Sequence, residues 1–372
     1  MTTDDYQIQD TREIFTPALV VFRELLEQNL DTMVRIAGRP DRLRPHCKTH
    51  KIAEIVRLEL ERGITKHKCA TLAEAEMLAR AGVRDIFLAY NLVGPNIERA
   101  VRLLSAWPDV NLAVTADDAQ PVAALGRAMH GAGFSVDVLL DIDTGMHRTG
   151  TEIGPAAAAL YQRIAETPGV RPGGLHVYDG QNHQRDVAER RAAVQTAWDQ
   201  VLPFRDGLVA AGLPVPRIVA GGSGTFPLFA AIDEPTLELS PGTTVFYDAG
   251  YTAAFPDLPF QIAAVLLTRV VSRPGPDRVT LDLGYKACAS DPPAGRRLVF
   301  PDLPDAEQVL QNEEHLVLKT PQADRFRPGD ELMAVPWHIC PTTALHKQVY
   351  VVSGGQLVGR WEVTARDRCL TI

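Results

Sequence analysis

Two kinds of segment alternate along the first two-thirds of the chain. In Arg23–Ala37, Leu26, Leu30, Met33 and Ala37 recur at helical spacing on one face. Leu43–Cys47 then predicts a short strand, Ile52–Gly63 a helix and His67–Ala70 a strand. Thr71 followed by Glu74 is a capping box, and it opens a helix that Gly82 closes. Ile86–Asn91, Leu112–Thr115 and Val136–Asp143 predict strands, with helices at Pro95–Leu104, Asp117–His130 and Ile153–Glu166. Gly174–Tyr178 is a strand, followed by a long helix from Asp186 to Ala211 and strands at Arg217–Ala220 and Leu237–Ser240. These eight strand candidates, most of them separated by a helix, predict a (β/α)8 barrel, an α/β fold, with a doubly wound sheet as the competing architecture.

Beyond Phe255 the texture changes. Gln261–Val271, Arg278–Leu283, Leu316–Lys319, Glu331–Val335, Gln348–Val352 and Gly359–Val363 are β-like runs separated by Pro and Gly turns. The expected layout is therefore a barrel over residues 16–255 and a C-terminal all-β domain over 256–372. An option for residues 1–15 is to pair with that β domain. Barrel active sites lie at the C-terminal ends of the strands, so chemistry is expected in the loops that follow them.

Length and composition narrow the class. A chain of 372 residues suits two or three domains. With 45% hydrophobic and 23% charged residues it is neither a disordered chain nor a fibre or coiled coil. Its net charge of −8, without a basic block, excludes nucleic acid and anionic membranes as expected partners. No run of ~18 apolar residues predicts a membrane span. Met1–Thr16 is polar and acidic, unlike a secretory signal, and the five cysteines are scattered and odd in number. Together these point to reduced thiols and a cytoplasmic protein.

Five clusters are candidates for chemistry. Lys48 is flanked by His46 and His50 at the end of the first predicted barrel strand. The bland alternative is a solvated basic turn, but a lysine beside cations in a partly dry site is a Schiff-base nucleophile. Gly221-Gly222-Ser223-Gly224-Thr225 follows the seventh strand, where bare backbone amides and hydroxyls can converge on a phosphate. A plain loop is the alternative, yet lysine plus phosphate cradle is what pyridoxal phosphate requires. Arg148, in the acidic turn Asp141–Gly150, is a donor for an anionic oxygen. His176 and Tyr178 share one face of the sixth strand, where a satisfied buried pair competes with a cofactor-binding role. His338 and Cys340, two apart in a segment read as extended, point the same way and can hold one metal ion in an incomplete, open site. A buried histidine and a structural cysteine are the alternative there.

In order along the chain, RPHCKTHK, DIDTGMHRTG, HVYDG, GGSGT, ELSPGTTVFYD and WHICPTTALH resemble the fold-type III pyridoxal-phosphate enzymes, within them the D-threonine aldolase and D-serine dehydratase branch. The resemblance spans Thr16 to Val352. It implies an alanine racemase-like barrel with a C-terminal β domain. It implies that Lys48 carries the cofactor, that Gly222, Ser223, Gly224 and Thr225 cradle its phosphate, and that Arg148 meets its phenolic oxygen while Tyr178, beside His176, faces its pyridine nitrogen. It further implies a divalent metal (Mn2+, Zn2+ or Mg2+) on His338 and Cys340, proton transfer by Lys48 or His50, and a homodimer. The activity implied is a lyase acting on D-3-hydroxy amino acids, with D-threonine aldolase preferred. D-serine or D-3-hydroxyaspartate dehydratase is the alternative, because those dehydratases share the cysteine at position 340 where some aldolases have aspartate. A racemase and a non-catalytic pyridoxal-phosphate carrier rank lower, since the His-x-Cys pair and the β domain fit neither.

Overall fold

Strand β1 (Ala18–Phe22) is apolar at every position and buried throughout. Such a run lacks the period-two alternation that announces a strand, because both its faces pack against protein. The structure, a computed structural model, describes residues 6–372; part of the amino-terminal segment, residues 1–5, lies outside the described residues.

Seven strands form one parallel sheet: β2 (Lys66–Cys69), β3 (Asp85–Asn91), β4 (Asn111–Ala116), β5 (Val136–Asp143), β6 (Val170–Tyr178), β7 (Ile218–Ala220) and β8 (Leu237–Leu239), neighbours in sequence order. The expected first strand, Leu43–Cys47, closes this sheet into the predicted barrel, but as two isolated parallel bridges, Leu43 to Leu239 and His46 to Lys68. The Arg44 amide donates to the Leu239 carbonyl at 2.7 Å and the Lys68 amide to the Pro45 carbonyl at 2.8 Å. Pro45 has no N–H for a regular ladder, and Cys47–Thr49 turns into a 3-10 helix, which corrects the expectation of a full strand here.

Helices follow the strands as the sequence predicts. Thr71 caps Leu72–Ala81 by accepting the Glu74 amide at 3.1 Å, and Asp186 caps the long helix Val187–Ala210 by accepting the amides of Ala188 and Glu189. Phe87, Ala113, Leu139 and Val219, from four of the parallel strands, pack together as a buried interior layer. At the N-terminal ends of the strands lies an ionic cluster. The fully buried Arg44 guanidinium bonds Glu238 and Asp85, Lys66 also bonds Glu238, and Arg217 bonds Asp137.

The second sheet contains β1 and the C-terminal strands β9 (Ala264–Gly275), β10 (Arg278–Leu281), β11 (Leu298–Val299), β12 (Glu307–Gln311), β13 (Leu316–Lys319), β14 (Glu331–Pro336), β15 (Gln348–Ser353) and β16 (Gln356–Glu362). β1 pairs antiparallel with β9 and parallel with β15, so the amino-terminal strand sits inside a sheet built otherwise from the C-terminal third. The chain divides into two compact units. One contains residues 6–32, Thr49–Glu54 and Thr243–Asp367; the other contains Met33–Lys48, Ile55–Gly242 and Arg368–Ile372. Among the described residues no helix is long and apolar enough to cross a membrane.

Candidate active site

A cavity of about 550 Å³ opens at the C-terminal ends of β2 to β6, the size of a small-molecule site. His46 and Lys48 reach it from the closing segment, Lys68 from β2, Tyr90 and Asn91 from β3, Thr115 from β4, Asp141 from β5, and His176 and Tyr178 from β6; Arg148 and Thr149 come from the loop after β5. Four residues expected from the sequence, Lys48, Arg148, His176 and Tyr178, therefore meet in one cavity. The Arg148 guanidinium lies 4.8 Å from the centre of the Tyr178 ring, a cation–π contact that orients both.

Behind them runs a buried chain of hydrogen bonds. Asp141 Oδ1 is 2.7 Å from His176 Nδ1, and His176 Nε2 is 2.9 Å from Lys68 Nζ. The carboxylate fixes the ring so that Nδ1 carries hydrogen and Nε2 accepts from the lysine amine. Burial and the neighbouring Lys48 cation push the Lys68 pKa down to about 7, against the pull of Asp141 and Asp179. Burial and Lys68 likewise hold the His176 pKa below its ordinary value. Burial opposes ionisation of Asp141, but His176 and the Thr149 side chain outweigh it and keep that carboxyl below the usual range.

The glycine loop follows β7. Gly221 adopts φ +76°, and a Cβ there would meet the Phe226 Cα at 3.0 Å, so the tight turn requires glycine. The Gly222 amide donates to Asp179 at 3.2 Å, and the Thr225 and Phe226 amides donate to the Gly222 carbonyl. Ser223 Oγ accepts the Gly242 amide at 3.0 Å. A Cβ on Gly222 would stand 3.9 Å from the Tyr178 ring and fill the space beside it. Ser240, whose amide bonds the Ala220 and Gly221 carbonyls, buries an Oγ with no hydrogen-bond partner among the described residues. An orphan hydroxyl, a bare glycine edge and a lysine-lined cavity fit pyridoxal phosphate: each is a feature that its phosphate, ring or aldehyde satisfies.

His338 and Cys340 belong to the other unit. The expected extended geometry is corrected: His338 is the N-cap and Cys340 lies in the first turn of the helix Ile339–Leu345. Asp248 causes this by accepting the Ile339 amide at 3.0 Å, and Pro341 in the first turn has no N–H to lose. Burial pushes Asp248 up to about 6, opposed by the amides it accepts. The two side chains still meet. Burial opposes charge on His338, yet its hydrogen bond with Cys340 and the Asp291 carboxylate, 2.5 Å from Nδ1, push it up to about 9. The Cys340 sulfur also lies 3.2 Å from Thr49 Oγ1 and 3.5 Å from Thr243 Oγ1. Among the described residues no group of three or more His, Cys, Asp or Glu side chains is arranged to hold a metal. The donor set present, one imidazole backed by a carboxylate and one thiol, fits a two-donor open site. His50 is buried in this unit, its Nδ1 accepting the Ile52 amide at 3.1 Å and its ring edge-on to Phe246.

Sequence reasoning passed over Lys68, Ser240 and Asp291, and gave Asp141 no role. Lys68 had a signal: it is a charge in the strand next to the Lys48 segment, at a position buried on the barrel side. Asp291 had none, because it lies in a Pro-rich loop and reaches His338 only through the fold.

Comparison with known proteins follows the same lines. Residues 23–249 match the family described as alanine racemase, N-terminal domain, and residues 263–352 match a putative serine dehydratase domain. The chain is 34% identical to a D-threonine aldolase of Arthrobacter sp over 94% of its own length and 92% of the relative's. It is 28% identical to a 3-hydroxy-D-aspartate aldolase of Paracoccus denitrificans (strain Pd 1222) over 96% and 94%. The crystal structure of D-threonine aldolase from Filomicrobium marinum superposes with a TM-score of 0.88 at 30% identity, covering 95% of this chain and 96% of that one.

Proposed function

Since the chain belongs to the alanine racemase-type family of pyridoxal-phosphate enzymes, in its D-threonine aldolase branch, we propose that it cleaves D-3-hydroxy amino acids, D-threonine first among them, to glycine and an aldehyde. The observation that carries this reading is the meeting of Lys48, Arg148, His176 and Tyr178 in one cavity beside the glycine loop.

In this reading Lys48 binds the cofactor covalently through its amine. The backbone and hydroxyls of Gly222, Ser223, Gly224 and Thr225 would hold the phosphate, Arg148 would meet the phenolic oxygen, and Tyr178, with His176 beside it in the cavity, would face the pyridine nitrogen. Bound there, pyridoxal phosphate supplies an electron sink for the bond that breaks at the substrate's Cα. His338 and Cys340 hold a divalent ion, Mn2+, Zn2+ or Mg2+, which supplies Lewis acidity toward the substrate hydroxyl, with Asp291 orienting the imidazole from behind. In this assignment the Lys48 amine, or His50, would move the protons. By family resemblance the protein works as a homodimer, and the scattered cysteines fit a cytoplasmic location.

Product analysis with D-threonine, pyridoxal phosphate and Mn2+ or Zn2+ tests the reading. Glycine and acetaldehyde are expected. 2-Oxobutyrate and ammonia would make the protein a dehydratase instead. If D-threonine, D-serine and D-3-hydroxyaspartate all stay intact, the lyase reading is wrong. Lys48→Ala is expected to abolish the visible absorbance of the lysine-bound cofactor.

A further inference from the structure

We propose that Lys68 is a second proton-carrying amine of the active site, set in place by His176 and Asp141, which takes the proton from the substrate's hydroxyl and returns it to Cα. The inference rests on the lyase reading above and reassigns to Lys68 the proton transfers that the reading gives to Lys48 and His50. The geometry is direct. Lys68 Nζ lines the same cavity as Lys48, lies 5.8 Å from the ring centres of both Phe87 and Tyr178, and donates one hydrogen to His176 Nε2 at 2.9 Å. His176 in turn donates from Nδ1 to Asp141 at 2.7 Å. A neutral amine with one N–H committed to the imidazole keeps a lone pair to accept a proton. The ammonium that results is stabilised through the imidazole by the Asp141 carboxylate, the arrangement that serves a general base.

The charged and titratable groups facing Lys68 are Lys48 and Arg148, which disfavour its charge, and Asp141 and Asp179, which favour it. With burial they hold its pKa at about 7, where an amine can both accept and release a proton. The overall cleavage needs such a group. The hydroxyl loses a proton as the Cα–Cβ bond breaks and the aldehyde carbonyl forms. The electron pair of that bond ends in a C–H bond at Cα when a proton arrives there, giving glycine. One proton therefore leaves oxygen and one reaches carbon, so a single amine closes the balance without an outside donor. Lys68 is the catalytic residue of this proposal; His176 and Asp141 are positioning residues.

The test uses the holoenzyme. Lys68→Met is expected to lower kcat about a hundredfold or more, to remove the acid limb of the kcat/KM pH profile, and to keep the visible absorbance of the Lys48-bound cofactor. Lys68→Arg, a permanent cation, is expected not to restore turnover, and His176→Asn to shift the limb. Full activity in Lys68→Met overturns the proposal, and rescue by Lys68→Arg overturns it in favour of a fixed cation. Trace acetylation of the unsubstituted protein freed of cofactor, where Lys48 carries its charge, followed peptide by peptide across pH, gives a readout independent of activity and of the variants' folding. Half-reactivity of Lys68 near pH 7 is expected, and the ordinary lysine value overturns the proposal. Lack of cleavage by the unsubstituted enzyme on every D-3-hydroxy amino acid overturns the lyase reading, and the catalytic role of Lys68 with it, while the acetylation result still reports on the Asp141–His176–Lys68 chain by itself.

Discussion

The Lys68 amine reaches His176 Nε2 at 2.9 Å inside the barrel, so a lysine and an imidazole share one hydrogen bond with almost no exposure to water. Placing an ammonium there costs free energy, because burial and the Lys48 charge both favour the neutral amine.

That cost gives a stability prediction with a definite sign. The folded pKa of Lys68, about 7, lies below its ordinary value of 10.5. Between these the unfolded chain holds more protons than the folded one, so this residue makes stability rise with pH across that window. Below it the full penalty is present, and above it none remains. Without cofactor, Lys68→Met is therefore expected to melt above the unsubstituted protein at pH 6, with the difference shrinking through the window. Parallel melting curves at all pH values would contradict this.

For the proposed metal site, chelation with EDTA or His338→Ala is expected to remove turnover while leaving the cofactor's visible absorbance. Asp291→Asn keeps both donors but loses the carboxylate behind His338 Nδ1, 2.5 Å away. Its metal affinity is expected to fall about 10- to 100-fold, with activity restored by excess metal. Full turnover after chelation would remove the metal from the mechanism.

The ionic cluster at the barrel floor predicts an asymmetric mutational response. Arg44 is fully buried and bonds both Glu238 and Asp85. Arg44→Ala takes a buried cation from both carboxylates, leaving Glu238 with Lys66 alone, and is expected to cost about 3–5 kcal/mol, read from the midpoint of barrel unfolding. Removing charges together, as in Arg44→Met with Glu238→Leu, is expected to cost less than the single change. Equal losses would mean that packing, not charge, decides.

Gly174 offers a sharper structural test. It sits in β6 at φ +110°, and a Cβ there would lie 2.0 Å from the Arg217 carbonyl oxygen. That carbonyl accepts the Leu175 amide at 3.0 Å, so strand and neighbour cannot separate without losing the bond. Gly174→Ala is expected to cost about 3 kcal/mol or more, and normal thermal stability of the variant would refute the assignment of strain.

The order of the elements was legible in the chain because barrel strands and helices leave local signals. Thr71 with Glu74 marked a helix start, and the apolar runs ending at Asp143 and Tyr178 marked strands whose C-terminal ends carry the cavity. The same local signals misread Leu43–Cys47, where Pro45 breaks the ladder, and His338–Cys340, where a distant Asp248 caps a helix. They missed β1, since a strand buried on both faces shows no alternation.

By itself, then, the sequence determined the fold class, the lysine and glycine-loop motifs, and the family. Only the tertiary structure decided which buried side chains face one another. Lys68, Asp141 and His176 are separated by tens of residues, and nothing in their local spacing couples them. Three parallel strands bring them within hydrogen-bonding distance, and burial there changes the chemistry of the lysine.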